Sequence, residues 1–272
     1  MKRFFLLIVL TALTLNASDL LEKVRDFMGD DRYATHRGFI EILFKDEVAY
    51  YTNEHLDVVK IVETLKQNGL LQLFFEKPQQ LTLTFTTNGP SLYFVKVMGD
   101  TLHAIGYYRY MTEYSKKNES EFVWRITMQS EYATDPTVLK NELFKRGCKI
   151  LDIKRLSQSD WYYNIDMASA SLNAHNIGQG EVLKLKRSLV PHWVNVEGIR
   201  QLKLTSSGSN VWYPYITFFD NSLHLLKVYK RDKKTWQIRI NIPSNTQYVK
   251  IADMYDLKNI KDGLDIEASG IK

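Results

Sequence analysis

The chain has 272 residues, a formal net charge of +5 and a single cysteine. One cysteine excludes an internal disulfide, so stability must come from a packed core. The length is enough for two domains, and the charge is too small to point to nucleic acid.

The chain begins MKRFFLLIVLTALTLNAS. Lys2 and Arg3 form a basic start, Phe4 to Leu15 an apolar run, and Asn16, Ala17 and Ser18 a short polar exit. That order predicts a cleavable Sec-type signal over residues 1–17, cut after Ala17. The run is shorter than the roughly 20 apolar residues that span a bilayer. No cysteine follows it, which excludes the lipoprotein route, and the expected location is the periplasm. No later segment is apolar enough to cross a membrane, so no integral membrane segment is expected in the mature chain. Without the signal, residues 18–167 carry 19 basic and 22 acidic side chains, and residues 168–272 carry 15 and 9. The asymmetry suggests two differently charged units.

Three segments over residues 18–168 share one design: a helix, a glycine, a strand, a polar turn and a second strand. The glycines are Gly69, Gly106 and Gly147. Leu65, Leu102 and Leu143 lie four residues before them, and Ile61, Met98 and Leu139 eight before. This i, i+4, i+8 stripe predicts the core-facing side of each helix. A glycine just beyond the stripe suits a left-handed helix exit. Asp135-Pro136, Gly89-Pro90 and Asn53-Glu54 are the expected helix starts. A strand from Phe39 to Tyr51 is expected before the first helix. The stretch from about residue 80 to 155 then reads β-α-β-β-α-β, a ferredoxin-like plan.

Residues 169–180, rich in small and polar side chains, read as a linker. Over 181–272 the helical period disappears. Short alternating runs at 182–185, 193–196, 201–205, 211–219, 223–229, 236–242 and 248–251 are separated by turn signals, with a further strand near 264–267. The pattern predicts an antiparallel β-sandwich or jelly-roll-like domain. The expected fold class is α+β, with ferredoxin-like units followed by that sandwich.

Motifs for chemistry are sparse. His36, His55, His103, His175, His192 and His224 show no metal-ligand spacing. Cys148 follows a helix end, where the dipole disfavours a thiolate. Asp152, Asp160 and Asp166 read as turn or solvent-face residues. No catalytic residue, cofactor or metal is assigned. Aromatics crowd three places: Tyr107, Tyr108 and Tyr110; Trp161, Tyr162 and Tyr163; Trp212, Tyr213 and Tyr215. Neighbours on a strand point to opposite faces, so some aromatics are expected away from the core. Trp193, Trp212, Tyr213, Tyr215 and Trp236 are the candidate ligand-binding residues, because Trp and Tyr stack on sugar rings and anchor interfaces. Lys227, Lys230, Arg231, Lys233 and Lys234 surround the turn of an expected hairpin and are candidates for an acidic partner.

The segments IVETLKQNGLLQLFF and LFKRGCKILDIK, with the lysine-rich and cysteine-poor style, resemble uncharacterised periplasmic proteins of epsilon-class proteobacteria. That resemblance implies an envelope protein and brings no site residues with it. The leading expectation is a soluble, non-enzymatic interaction or scaffold protein with an envelope protein partner. The alternatives are a glycan-binding protein using the C-terminal aromatics, and an envelope enzyme without a recognisable motif.

Overall fold

The computed structural model describes residues 19–271. The expected signal, residues 1–17, lies outside the described residues. The chain divides into two units, one ending at Ser171 and one starting at Leu172.

In the first unit, residues 19–28 form helix α1 and Asp30–Leu43 form α2. On α1, Leu20, Val24 and Phe27 fall on one face and are fully buried. The strand expected over Phe39–Tyr51 is instead the end of α2, followed by a 3-10 turn at Glu47–Tyr50. The burial shows why: Ile40 and Phe44, four apart, are inside, while Phe39 and Ile42 are exposed. That period belongs to a helix, and the Phe44 N–H donates to the Ile40 carbonyl at 2.9 Å. Strands β1 (Tyr51–Thr52) and β2 (His55–Leu56) make a small hairpin. Asn53 and Glu54, expected to open a helix, are its turn, with φ of 51° and 66°. Helix α3 (Val58–Gln67) starts at Asp57, whose carboxylate accepts from the Lys60 N–H.

Strand β3 (Phe74–Thr87), helix α4 (Ser91–Ala104), strands β4 (Met111–Lys117) and β5 (Phe122–Tyr132), helix α5 (Pro136–Phe144), and strands β6 (Lys149–Arg155) and β7 (Asp160–Asp166) complete the unit. Asp135 caps α5 by accepting from the Thr137 N–H, with proline at the helix start. The sheet order is β4-β5-β3-β7-β6. All neighbours are antiparallel except β3 and β7. This departs from the ferredoxin-like order expected over 80–155, because the β6–β7 hairpin sets β7 parallel beside β3. The first of the three expected strand pairs is also a single strand. Between Phe74 and Gln79 the register with β5 jumps, so the residues expected to turn the chain bulge out of one long strand.

What does recur at all three helices is the exit. Gly69, Gly106 and Gly147 all have positive φ. The N–H after each glycine donates to a leucine carbonyl five residues back: Leu70 to Leu65 at 2.8 Å, Tyr107 to Leu102 at 2.8 Å, Cys148 to Leu143 at 3.0 Å. Those leucines, with Ile61, Met98 and Leu139, are fully buried. On β3, Leu81, Leu83 and Phe85 also enter the core. Thr82, Thr84 and Thr86 point to the other face, where the Arg125 guanidinium donates to the Thr84 hydroxyl and the Tyr162 hydroxyl bonds Thr86.

The second unit contains strands β8 (His175–Asn176), β9 (Val182–Leu185), β10 (His192–Asn195), β11 (Ile199–Ser206), β12 (Pro214–Phe219), β13 (Leu225–Lys230), β14 (Gln237–Asn241), β15 (Tyr248–Asp253) and β16 (Leu264–Ile271). One sheet runs β13-β12-β15-β10-β8 and the other β14-β11-β16-β9. Alternate residues of both, including Val194, Ile216, Phe218, Val249 and Ile251 from the first and Leu202, Leu204, Ile240 and Ile266 from the second, form one buried cluster. This is the two-sheet layout of a sandwich. The boundary between the units falls inside the segment expected as a linker, 169–180, but its second half belongs to the second unit. His175–Asn176 pairs in parallel with β10, and Ile177 is part of the core cluster. Its small polar residues hid one apolar side chain placed where an edge strand needs it.

Candidate binding surface of the second unit

The five candidate aromatics occupy four different environments. Trp212 is fully buried, and its indole N–H donates to the Ala252 carbonyl at 3.0 Å. It is a core residue and cannot stack on a ligand. Trp193 sits on the outer face of the five-stranded sheet, 5.2 Å from the Phe219 ring, with the Lys250 ammonium 5.9 Å and 6.0 Å from the two rings. Register explains the grouping: Lys250 lies between its cross-strand partners Trp193 and Thr217. Tyr215 shares the outward side, two residues before Thr217, and pairs with Lys230. Tyr213 precedes β12 and packs edge-on against Tyr255, 5.1 Å between centroids. Trp236 is 60% exposed just before β14.

Loops at one end of the unit bring part of this set together with the basic residues. The Arg231 N–H donates to the Pro214 carbonyl, the Thr235 N–H to the Trp212 carbonyl, and the Met254 N–H to the Tyr213 carbonyl. The Tyr255 hydroxyl donates to Asp232 at 2.6 Å. Segments 212–214, 231–236 and 253–255 therefore adjoin. They carry Tyr213, Tyr255, Trp236, Arg231, Lys233 and Lys234. The buried Asp253 carboxylate holds the region, accepting from the N–H groups of Tyr213, Tyr255 and Asp256 and from the Asn259 amide. Phe219, Lys250 and Tyr255 were missed in the sequence. Phe219 had a signal, since it lies four residues from Tyr215 on the same strand face. Tyr255 had none, because only the Asp253 loop delivers it.

Lys227, Lys230, Arg231, Lys233 and Lys234 are all exposed. They do not surround a hairpin turn. β13 and β14 are edge strands of different sheets, and residues 231–236 cross between them. Charge and polarity marked a turn, but they could not tell a hairpin from a crossover. β13 itself is open. Among the described residues no strand pairs with it beyond β12. Leu225, Leu226 and Val228 on it are 59%, 39% and 38% exposed.

The other polar and aromatic residues singled out in the sequence have these places. Asp152 pairs with Lys23 at 2.6 Å, Asp160 with Arg125 at 2.9 Å, and Asp166 accepts from the Ala168 N–H. Burial pushes the Cys148 thiol up to about 11, with Asp166 adding to the effect. A thiol so shifted carries almost no thiolate near neutral pH. Trp161 and Tyr163 are buried in the first unit, whereas residues 107–110 precede β4 instead of lying on a strand. His224 pairs with Asp220 at 2.9 Å, and the His175 and His192 rings stand 6.2 Å apart. The first unit also has a groove of about 710 Å³ lined by Leu71, Leu73, Phe74, Tyr132 and Ala133, with the Lys66–Asp135 ion pair on its wall.

Among the described residues no helix is long and apolar enough to cross a membrane. No family model and no curated protein matches the chain. A chain in the crystal structure of accessory secretory protein 1, 2 and 3 from Streptococcus pneumoniae is similar at 17% identity. The match covers 35% of this chain and 74% of that one, with a TM-score of 0.20. At that score the likeness carries no functional argument.

Proposed function

We propose that the protein is an exported, non-enzymatic interaction or scaffold protein of the cell envelope, working in the periplasm and held there by a protein partner. The observation that carries this reading is the open β13 edge. It exposes three apolar side chains beside unpaired backbone groups, the arrangement through which sheets recruit another chain. A photo-crosslinking residue placed at Leu226 in living cells tests it. One protein should be captured there and not from Glu119, on the exposed turn before β5. Equal or absent capture at both positions would overturn the reading.

A second reading, glycan binding, is favoured by the loop end that sets Tyr213, Tyr255 and Trp236 beside Arg231, Lys233 and Lys234. Aromatic faces with cations suit an anionic sugar polymer. Retention on isolated cell-wall glycan that is abolished by Trp236→Ala with Tyr255→Ala would support it. Retention unchanged in that variant would remove it.

A further inference from the structure

We infer that β13 takes up an extended acidic segment of another polypeptide as a sixth strand of the β13-β12-β15-β10-β8 sheet. This rests on the interaction reading above and names the chemistry of the partner.

Four features converge on β13. It is a sheet edge with nothing paired on its outer side among the described residues. Six residues of extended chain give roughly 20 Å of backbone donors and acceptors. Its apolar side chains, Leu225, Leu226 and Val228, are exposed, as an occupant with its own apolar positions requires. Its charge is of one sign. Lys227 stands opposite Phe218 and Lys230 opposite Tyr215, so the two lysines mark different faces of the sheet. Arg231, Lys233 and Lys234 continue the cationic run, while the one acid among them, Asp232, accepts from the Tyr255 hydroxyl.

The charge also decides between occupants. Pairing with β13 of a second copy would set two lysines and a basic loop from each chain along one ladder. Like charges directly opposite destabilise a sheet, and edge lysines are a known device against such pairing. An acidic strand turns the same lysines into attraction, at the few-ångström separations where screening is incomplete. The lysines therefore disfavour self-association and favour an acidic partner.

The test uses the full chain and a short labelled peptide alternating Glu and Val, with an alternating Lys and Val peptide as comparator. Binding is followed by anisotropy, and its place by hydrogen exchange at residues 225–230. The Glu peptide should bind, slow exchange along β13, and weaken as salt rises from about 50 to about 500 mM. The double variant Lys227→Glu with Lys230→Glu should lose about tenfold in affinity for the Glu peptide and gain affinity for the Lys peptide. Both positions are exposed, so the fold is retained, and the exchange of preference cannot arise from unfolding. Equal binding of both peptides, or binding without protection of 225–230, would overturn the inference. An anionic polysaccharide that binds in place of the peptide and leaves β13 unprotected would do the same and favour the glycan reading. If the peptide fails while crosslinking at Leu226 still captures a protein, the acidic strand is wrong and the interaction reading stands. If both fail, both are wrong.

Discussion

Gly147 shows how much one absent Cβ can carry. It leaves α5 with φ near 70°, and a Cβ there would meet the Ser169 carbonyl oxygen at 2.0 Å. At Gly69 and Gly106, which make the same exit, nothing stands within 4 Å. Alanine at those two positions should cost only the left-handed backbone strain, about 1 kcal/mol. Gly147→Ala adds a backbone clash and should cost clearly more, read as a larger fall in the denaturant midpoint. His192 gives a pH signature at the same scale. Its burial, with His175 nearby, lowers its pKa below the ordinary 6.5. The unfolded chain therefore takes the proton first as pH falls, and stability rises with pH over that window. The contribution is complete above about 6.5 and is lost progressively below it. Melting followed across that range should show the loss, and His192→Gln should flatten it.

At the level of elements, the second unit was legible and its aromatics were not. Alternation located eight of its strands because one face of each enters a shared core and the other meets water. The same alternation could not say that Trp212 lies before β12, where the chain turns inward and the indole finds the Ala252 carbonyl. Trp212→Ala should thus cost about 3–5 kcal/mol, while Trp236→Ala, at an exposed position, should leave the melting temperature nearly unchanged. In the first unit the leucine stripes and exit glycines were readable, since they are local. The β3–β7 parallel pairing was not, because it joins residues far apart in sequence. Phe39–Tyr51 was misread because its branched and aromatic residues look like a strand. Only the burial of Ile40 and Phe44 together reveals the helix.

At the level of the whole molecule, two cores and two charge balances coexist in one chain. The basic excess of the second unit gathers partly at β13 and the loop after it, so the charge asymmetry read from the sequence has a location. The openness of that edge also contrasts with the interior place of β16. Strand β16 pairs with β11 on one side and β9 on the other. Removing residues 264–271 should leave the second unit unfolded, seen as loss of sheet signal and rapid proteolysis from residue 172 onward. It follows that β9, whose one strand partner among the described residues is β16, must wait for a segment made tens of residues later, while β11 can pair with β14 before it. Without that segment, the sheet has a gap between β11 and β9. The four-stranded sheet can therefore close only when its last strand arrives, whatever the other sheet has already built.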